Sequence, residues 1–147
     1  TGAYAASALA KTDAINNGYD EPIYLNRQGM VSEASGANIF GIKDNVVYTP
    51  PLSTNILNGI TRRSLIELAK NELKLEVREE NFDRSTLFAF DELFFTGTAA
   101  KLAWIKQVDQ RQIGNGKLGT HTKKLKDLFE KALQNALPAY EHWNFKA

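Results

Sequence analysis

Four short apolar runs, Pro22–Leu25, Met30–Ser32, Asn38–Ile42 and Val46–Tyr48, crowd into residues 22–48, and none is long enough for a helix. Turn formers at Asn26–Gly29 and at Lys43-Asp44-Asn45 separate them. That spacing constrains the chain to an antiparallel meander. Pro50-Pro51, which cannot donate ladder hydrogen bonds, closes it. A helix is expected before the meander: residues 3–16 are Ala-rich, carry no Gly or Pro, and run into the stop signal Asn16-Asn17-Gly18.

Downstream, Leu65, Ile66, Leu68, Ala69 and Leu73 recur at helical spacing, which predicts a helix over 61–74 with Thr61 as its cap. A strand at Leu75–Val77, a short helix near Ser85–Phe90 behind the cap Asp83, and strands at Glu92–Thr96 and Ala103–Val108 follow. Asp109–Gly119 reads as turns. Leu125, Leu128, Phe129, Ala132, Leu133 and Ala136 then form one face of a last helix, ended by Pro138. Helices and strands alternate without a regular rhythm, and no repeat or low-complexity linker divides the chain. One α+β or irregular α/β domain over residues 1–147 is expected.

The totals narrow the function. With 18 basic and 17 acidic residues the net charge is +1, which gives no nucleic-acid footprint, and Lys123, Lys124 and Lys126 read as the wet face of a helix. No stretch approaches the ~20 apolar residues of a membrane span. The sequence has no Cys, so thiolate catalysis, thiolate metal sites and disulfides are out. His121 and His142 stand too far apart in the chain to suggest a metal pair. The default compartment is the cytoplasm. The chain starts at Thr1 without a Met, as a piece of a longer protein would.

Three segments carry possible chemistry. In Ser32-Glu33-Ala34-Ser35-Gly36-Ala37-Asn38 one carboxylate is surrounded by side chains too small to crowd it. An ordinary turn with Glu33 facing water is one reading. A carboxylate held where a planar ligand lies over the backbone is the other. Asn58-Gly59-Ile60-Thr61 leads into a helix start, where unpaired N–H groups and a hydroxyl suit a phosphate, with Arg62 and Arg63 adding charge, although a plain capped helix would look the same. Thr96-Gly97-Thr98-Ala99-Ala100 follows an apolar strand, a common place for ligand contacts. Glu79 and Glu80 read as solvated, and Phe94, Phe95 and Trp104 as core or interface.

Taken together, "NNGYDEPIYLNRQGMVSEASGANIF", "DNVVYTPPLSTNILNGITRRSLIELAK", "LEVREE", "DELFFTGTAA" and "VDQRQIGNGKLGTHTKKL" resemble the class IV, pyridoxal-phosphate-dependent aminotransferases, and within them the branched-chain group. The five pieces keep the family's order across nearly the whole chain. The resemblance implies the larger C-terminal domain of the fold-type IV fold, an irregular α/β pseudo-barrel. It also implies pyridoxal phosphate as cofactor and amino-acid and 2-oxo-acid substrates. Without the partner domain, apolar surface around the cofactor face and the Phe94-Phe95 strand is expected to be exposed and to pair into a homo-oligomer.

Residue by residue, the resemblance makes Glu33 the acid that faces the pyridine nitrogen. It makes Gly59, Ile60 and Thr61 the phosphate cup, joined by Gly97 and Thr98, and Tyr4 the tyrosine at the phenolic oxygen. Gly36, Asn38 and Leu57 fall within the same cofactor cradle, and Thr98 and Ala99 match the region that receives the substrate carboxylate. The Schiff-base lysine of the family is expected just before Thr1. The first of the twelve lysines present, Lys11, lies on the first helix and is no substitute. The smaller N-terminal domain is likewise expected outside this stretch, so the stretch alone should be inactive.

Ala34, Ala37, Asn58, Lys101 and Trp104 depart from the residues usual in the family and bear on the preference for branched aliphatic side chains. A D-amino-acid aminotransferase or an aminodeoxychorismate lyase, which share the cradle and differ mainly in contacts of the other domain, is the alternative within the family. A non-catalytic phosphate-binding or assembly domain is the reading from outside enzymology.

Overall fold

The computed structural model describes residues 4–144. α1 (Ala5–Asn16) precedes β1 (Ile23–Leu25), β2 (Val31–Ala34), β3 (Asn38–Lys43) and β4 (Val46–Thr49). These four strands form the expected antiparallel meander. Asp44 (φ 49°) and Asn45 (φ 63°) make a two-residue turn between β3 and β4, a conformation that short polar side chains tolerate. α2 (Ile60–Asn71) then crosses over to β5 (Glu76–Glu79), which lies parallel to β4. A helical crossover is what a parallel pair requires.

β6 (Glu92–Gly97) runs antiparallel along β3 and pairs with β7 (Lys101–Trp104). A strand has two edges, and β6 covers one edge of β3 from Asn38 to Ile42. β2 and β4 therefore share the other edge, at opposite ends of β3. The sheet branches there, and β3 is buried on both faces. Its alternate residues feed two cores. Phe40 and Ile42 join Val47, Leu65, Leu68, Phe94, Leu125 and Phe129 beneath α2 and α3 (Thr120–Leu133). Ile39 faces the other way, with Val31, Phe82, Leu87, Phe90 and Leu93.

Several expectations need correction. The strand read over 103–108 breaks into β7 and β8 (Gln107–Val108), and β8 pairs with β9 (Arg111–Gln112). The turn between them puts Asp109 and Gln110 at positive φ without a glycine to announce it. α2 starts before Thr61, with Gly59 as its cap residue. α3 ends at Leu133, where Asn135 turns left-handed, and Pro138 instead opens a 3₁₀ turn over Pro138–Trp143. Phe94 is fully buried and Phe95 packs, partly buried, against the second core, whereas Trp104 is 40% exposed. The expected helix residue Ala3 lies outside the described residues.

The helix read near Ser85–Phe90 is a 3₁₀ turn over Thr86–Ala89 whose cap position is Ser85, and Asp83, two residues earlier, accepts the Thr86 N–H at 2.9 Å. The Ser85 hydroxyl, then the Thr86 N–H and hydroxyl, hold its carboxyl down to about 2. A depressed carboxyl contributes stability above its ordinary range and loses it as the pH falls through the folded value. Asp83→Asn is therefore expected to flatten the acid end of the stability profile between the usual aspartate range and about pH 2. Denaturant melts across that window check this, and identical profiles would refute it.

Candidate functional site

Glu33 on β2 stands directly opposite Asn38 on β3. Its Oε2 accepts the Leu57 N–H at 2.9 Å and the Asn38 amide at 3.3 Å. The same Asn38 Nδ2 donates to the Leu57 carbonyl at 2.9 Å. Asn38 is 4% exposed, so one interior amide joins the acid to a loop far along the chain. Glu33 is half-buried, and burial raises its carboxyl above the ordinary glutamate value, opposed by the Leu57 N–H. The carboxylate is neither a bare turn residue nor neutralised by a cation.

The same Asn38 sets the start of α2. A Cβ on Gly59 would lie 2.4 Å from Asn38 Oδ1, so any side chain here forces Asn38 to move. The first intrahelical bond is Arg63 N–H to the Gly59 carbonyl, which leaves the N–H groups of Ile60, Thr61 and Arg62 outside the helical ladder. No side chain caps them. Ile60 is 75% exposed and Thr61 is buried. Gly59→Ala should cost about 1–3 kcal/mol, because the hydrogen-bonded Asn38 cannot yield without releasing Glu33. Denaturant unfolding measures it, and a neutral result would show that the contact relaxes freely.

A third segment closes on the first. A Cβ on Gly97 would lie 3.0 Å from the Gly36 carbonyl oxygen and 3.5 Å from the Ala37 Cβ, which places the end of β6 against the turn between β2 and β3. Thr98 and Ala99, in the next turn, are exposed. Thr96, the β6 residue paired with Asn38, buries a hydroxyl with no partner. On the α1 side, a cavity of ≈ 410 Å³ is lined by Ala6, Ser7, Tyr24, Ser32, Glu33 and Thr54 among others. That is a volume a small molecule can use.

The structure thus gathers Glu33, Asn38, Leu57 and Gly59 into one bonded unit, sets Ile60 and Thr61 at its open end, and packs Gly36 against Gly97. Tyr4 is 66% exposed at the start of α1 and does not line the cavity. Two expectations about charge change. Arg62 is buried and turned into the body of the domain, donating to the Pro50 carbonyl and to Glu79, so it is not a free cation at the helix start. Glu79 is therefore an ion-pair partner rather than a merely solvated acid. Arg63 remains exposed. No local signal in the sequence distinguishes these two arginines. Lys11 is tied to Glu21 and to the Asp20 carbonyl. Among the described residues no cluster of side chains suits a metal ion, and no helix is long and apolar enough to cross a membrane.

Such a site can hold an anion on helix amides and, on the same rigid unit, offer a half-buried carboxylate to a positively charged N–H. A family description, "Amino-transferase class IV", matches residues 1–108. The chain belongs to the class IV aminotransferase family. It is 48% identical over 142 residues to the probable branched-chain-amino-acid aminotransferase of Aquifex aeolicus, covering 97% of this chain and 46% of that protein. With the branched-chain-amino-acid aminotransferase of Escherichia coli K12 it shares 43% identity over 128 residues, 87% of this chain and 41% of the relative. The crystal structure of the T.th. branched-chain amino acid aminotransferase complexed with N-(5'-phosphopyridoxyl)-L-glutamate superposes with a TM-score of 0.93 at 39% identity, over 97% of this chain and 47% of that one. The PLP-form of the Thermobaculum terrenum enzyme gives 0.93 at 34% identity, over 95% and 46%. The fold is that of the fold-type IV aminotransferases, over a stretch the size of their C-terminal domain. This chain spans less than half the length of the relatives it matches.

Proposed function

We propose that these residues form the cofactor-cradling part of an enzyme that moves the amino group of a branched-chain L-amino acid to a 2-oxo acid with pyridoxal phosphate. One observation carries the reading: the Glu33–Asn38–Leu57 hydrogen-bond ring, which fixes a half-buried carboxylate to the loop that opens α2. The similarity to branched-chain aminotransferases supports the substrate class.

The residues present fit the cofactor. Uncapped amides at Ile60 and Thr61 suit its phosphate, and Thr98 stands exposed in the turn beyond Gly97, which packs against the β2–β3 turn. The Glu33 carboxylate suits a protonated ring nitrogen, and the small residues Ala34, Ser35 and Gly36 leave space for a flat ring. Pyridoxal phosphate, when bound, supplies the electron-accepting ring that makes an amino acid's α-proton removable. Glu33 holds a proton at the ring nitrogen and so keeps that acceptor cationic. The Ile60 and Thr61 N–H groups bind and orient the phosphate; the role of Tyr4 at the phenolic oxygen rests on family resemblance alone, since Tyr4 is exposed at the start of α1. The amides of Thr98 and Ala99 receive the substrate carboxylate.

By the family's motif order, the covalent anchor is a lysine upstream of Thr1; Lys11 lies on α1, paired with Glu21. A smaller N-terminal domain completes the enzyme, which works as a homo-oligomer. The test is an amino-transfer assay with leucine, isoleucine or valine as donor. The complete protein should turn over, and residues 1–147 alone should not. Turnover by the short chain would refute the missing-lysine reading, and a complete protein preferring D-amino acids would refute the substrate class.

A further inference from the structure

The first turn of α2 leaves its amides without helical partners or a side-chain cap, and one of its side chains is buried in the domain. Arg62 is 2% exposed, and its Nη2 donates to the Pro50 carbonyl at 3.0 Å and to Glu79 Oε2 at 2.7 Å. Its Nε is buried with no partner. Burying a guanidinium with one N–H unmatched costs stability that an apolar residue of similar size would not cost. Packing alone does not account for arginine at this position.

The two acceptors are informative. Pro50 follows β4 and Glu79 ends β5, and these strands are the parallel pair, in register at Thr49 and Glu79. Arg62 therefore reaches from the first turn of α2 to the C-terminal ends of both strands. At the start of the same turn, Gly59 rests on Asn38. The segment 59–62 is gripped at two points: Asn38 fixes where it enters, and Arg62 fixes how it is rotated. The Ile60 and Thr61 amides lie between the two grips.

We propose that Arg62, with Glu79 as its counter-ion, is a positioning residue for the anion-binding amides at the start of α2. It acts on the phosphate of the ligand through backbone placement and touches no ligand itself. This rests on the anion-cup reading above. A purely electrostatic role predicts the opposite response to removing Glu79, because an unneutralised Arg62 would attract the phosphate more strongly.

The experiment uses the complete protein freed of cofactor. Dissociation constants are measured for pyridoxal 5′-phosphate and for pyridoxal, which lacks the phosphate, in wild type, Arg62→Met and Glu79→Ala. Both variants are expected to lose about tenfold of the preference for the phosphorylated form, the scale of one misplaced charge-assisted hydrogen bond. Affinity for pyridoxal should stay within about twofold, because the ring contacts at Glu33 are untouched. Should Arg62→Met fail to fold, Glu79→Ala, altered at a partly exposed side chain, decides alone. An unchanged preference, an equal loss for both ligands, or a rise in Glu79→Ala overturns the proposal. A wild type with no preference for the phosphorylated form refutes the anion cup itself and this inference with it.

Discussion

Glu33→Gln is expected to lower the turnover of the complete protein by roughly 10²–10³-fold, the scale of losing one preorganised electrostatic contact to charge that develops in the transition state. Glutamine keeps the size and can still accept the Leu57 N–H through its own oxygen, so the Asn38 ring and the start of α2 should hold. What disappears is the negative charge that keeps a proton on the ring nitrogen. The loss should therefore fall on kcat, with affinity for the phosphorylated cofactor nearly unchanged. An exposed turn acid would respond differently. Such substitutions stay within about ±0.5 kcal/mol and would leave turnover close to normal. Single-turnover kinetics at matched cofactor occupancy separates the two.

The second large effect is on stability. Phe94→Ala should destabilise the domain by about 3–5 kcal/mol, the usual result of emptying a fully buried aromatic site. Phe94 is 0% exposed and stacks on Phe40 with ring centroids 5.2 Å apart. The two residues are also cross-strand partners on β6 and β3. Because α2 and α3 both pack on this face, neither can move in to fill the space without leaving the other. Denaturant unfolding of the variant measures the effect, and a loss below about 1 kcal/mol would mean that the two helices collapse freely into the gap.

How much of this can be read from the sequence depends on how local the cause is. The β1–β4 meander is legible because alternating apolar runs and turn formers such as Asp44-Asn45 act over a few neighbouring residues. The last helix is legible from its apolar face. Its cap is not: Glu92, on a distant strand, accepts the His121 N–H at 3.1 Å and the Thr122 N–H at 2.7 Å. The start of α2 is misplaced for the same reason, since what selects glycine there is the Asn38 side chain pressing on it. The β8–β9 hairpin stays hidden because a Gln at positive φ carries no turn signature.

The site divides along the same line. Glu33, Gly59 and Gly97 stand out through composition and family resemblance, each within its own segment. The bonds that join them run between residues far apart in sequence, Leu57 to Glu33 and Asn38 to Leu57, and only the branched pairing of β3 brings them together. Arg62 illustrates the limit. Beside Arg63 it reads as a second surface charge, and its burial follows from the positions of Pro50 and Glu79, which no local pattern announces.

The central claim is that the carboxylate and the α2 amides serve one ligand, with Glu33 at the ring nitrogen. NMR of pyridoxal phosphate labelled at that nitrogen, bound to the complete protein, reads the protonation directly. Wild type should show the protonated resonance through neutral pH, and Glu33→Gln should show the unprotonated one with the phosphate still bound. A nitrogen in the same state in both proteins would contradict the account.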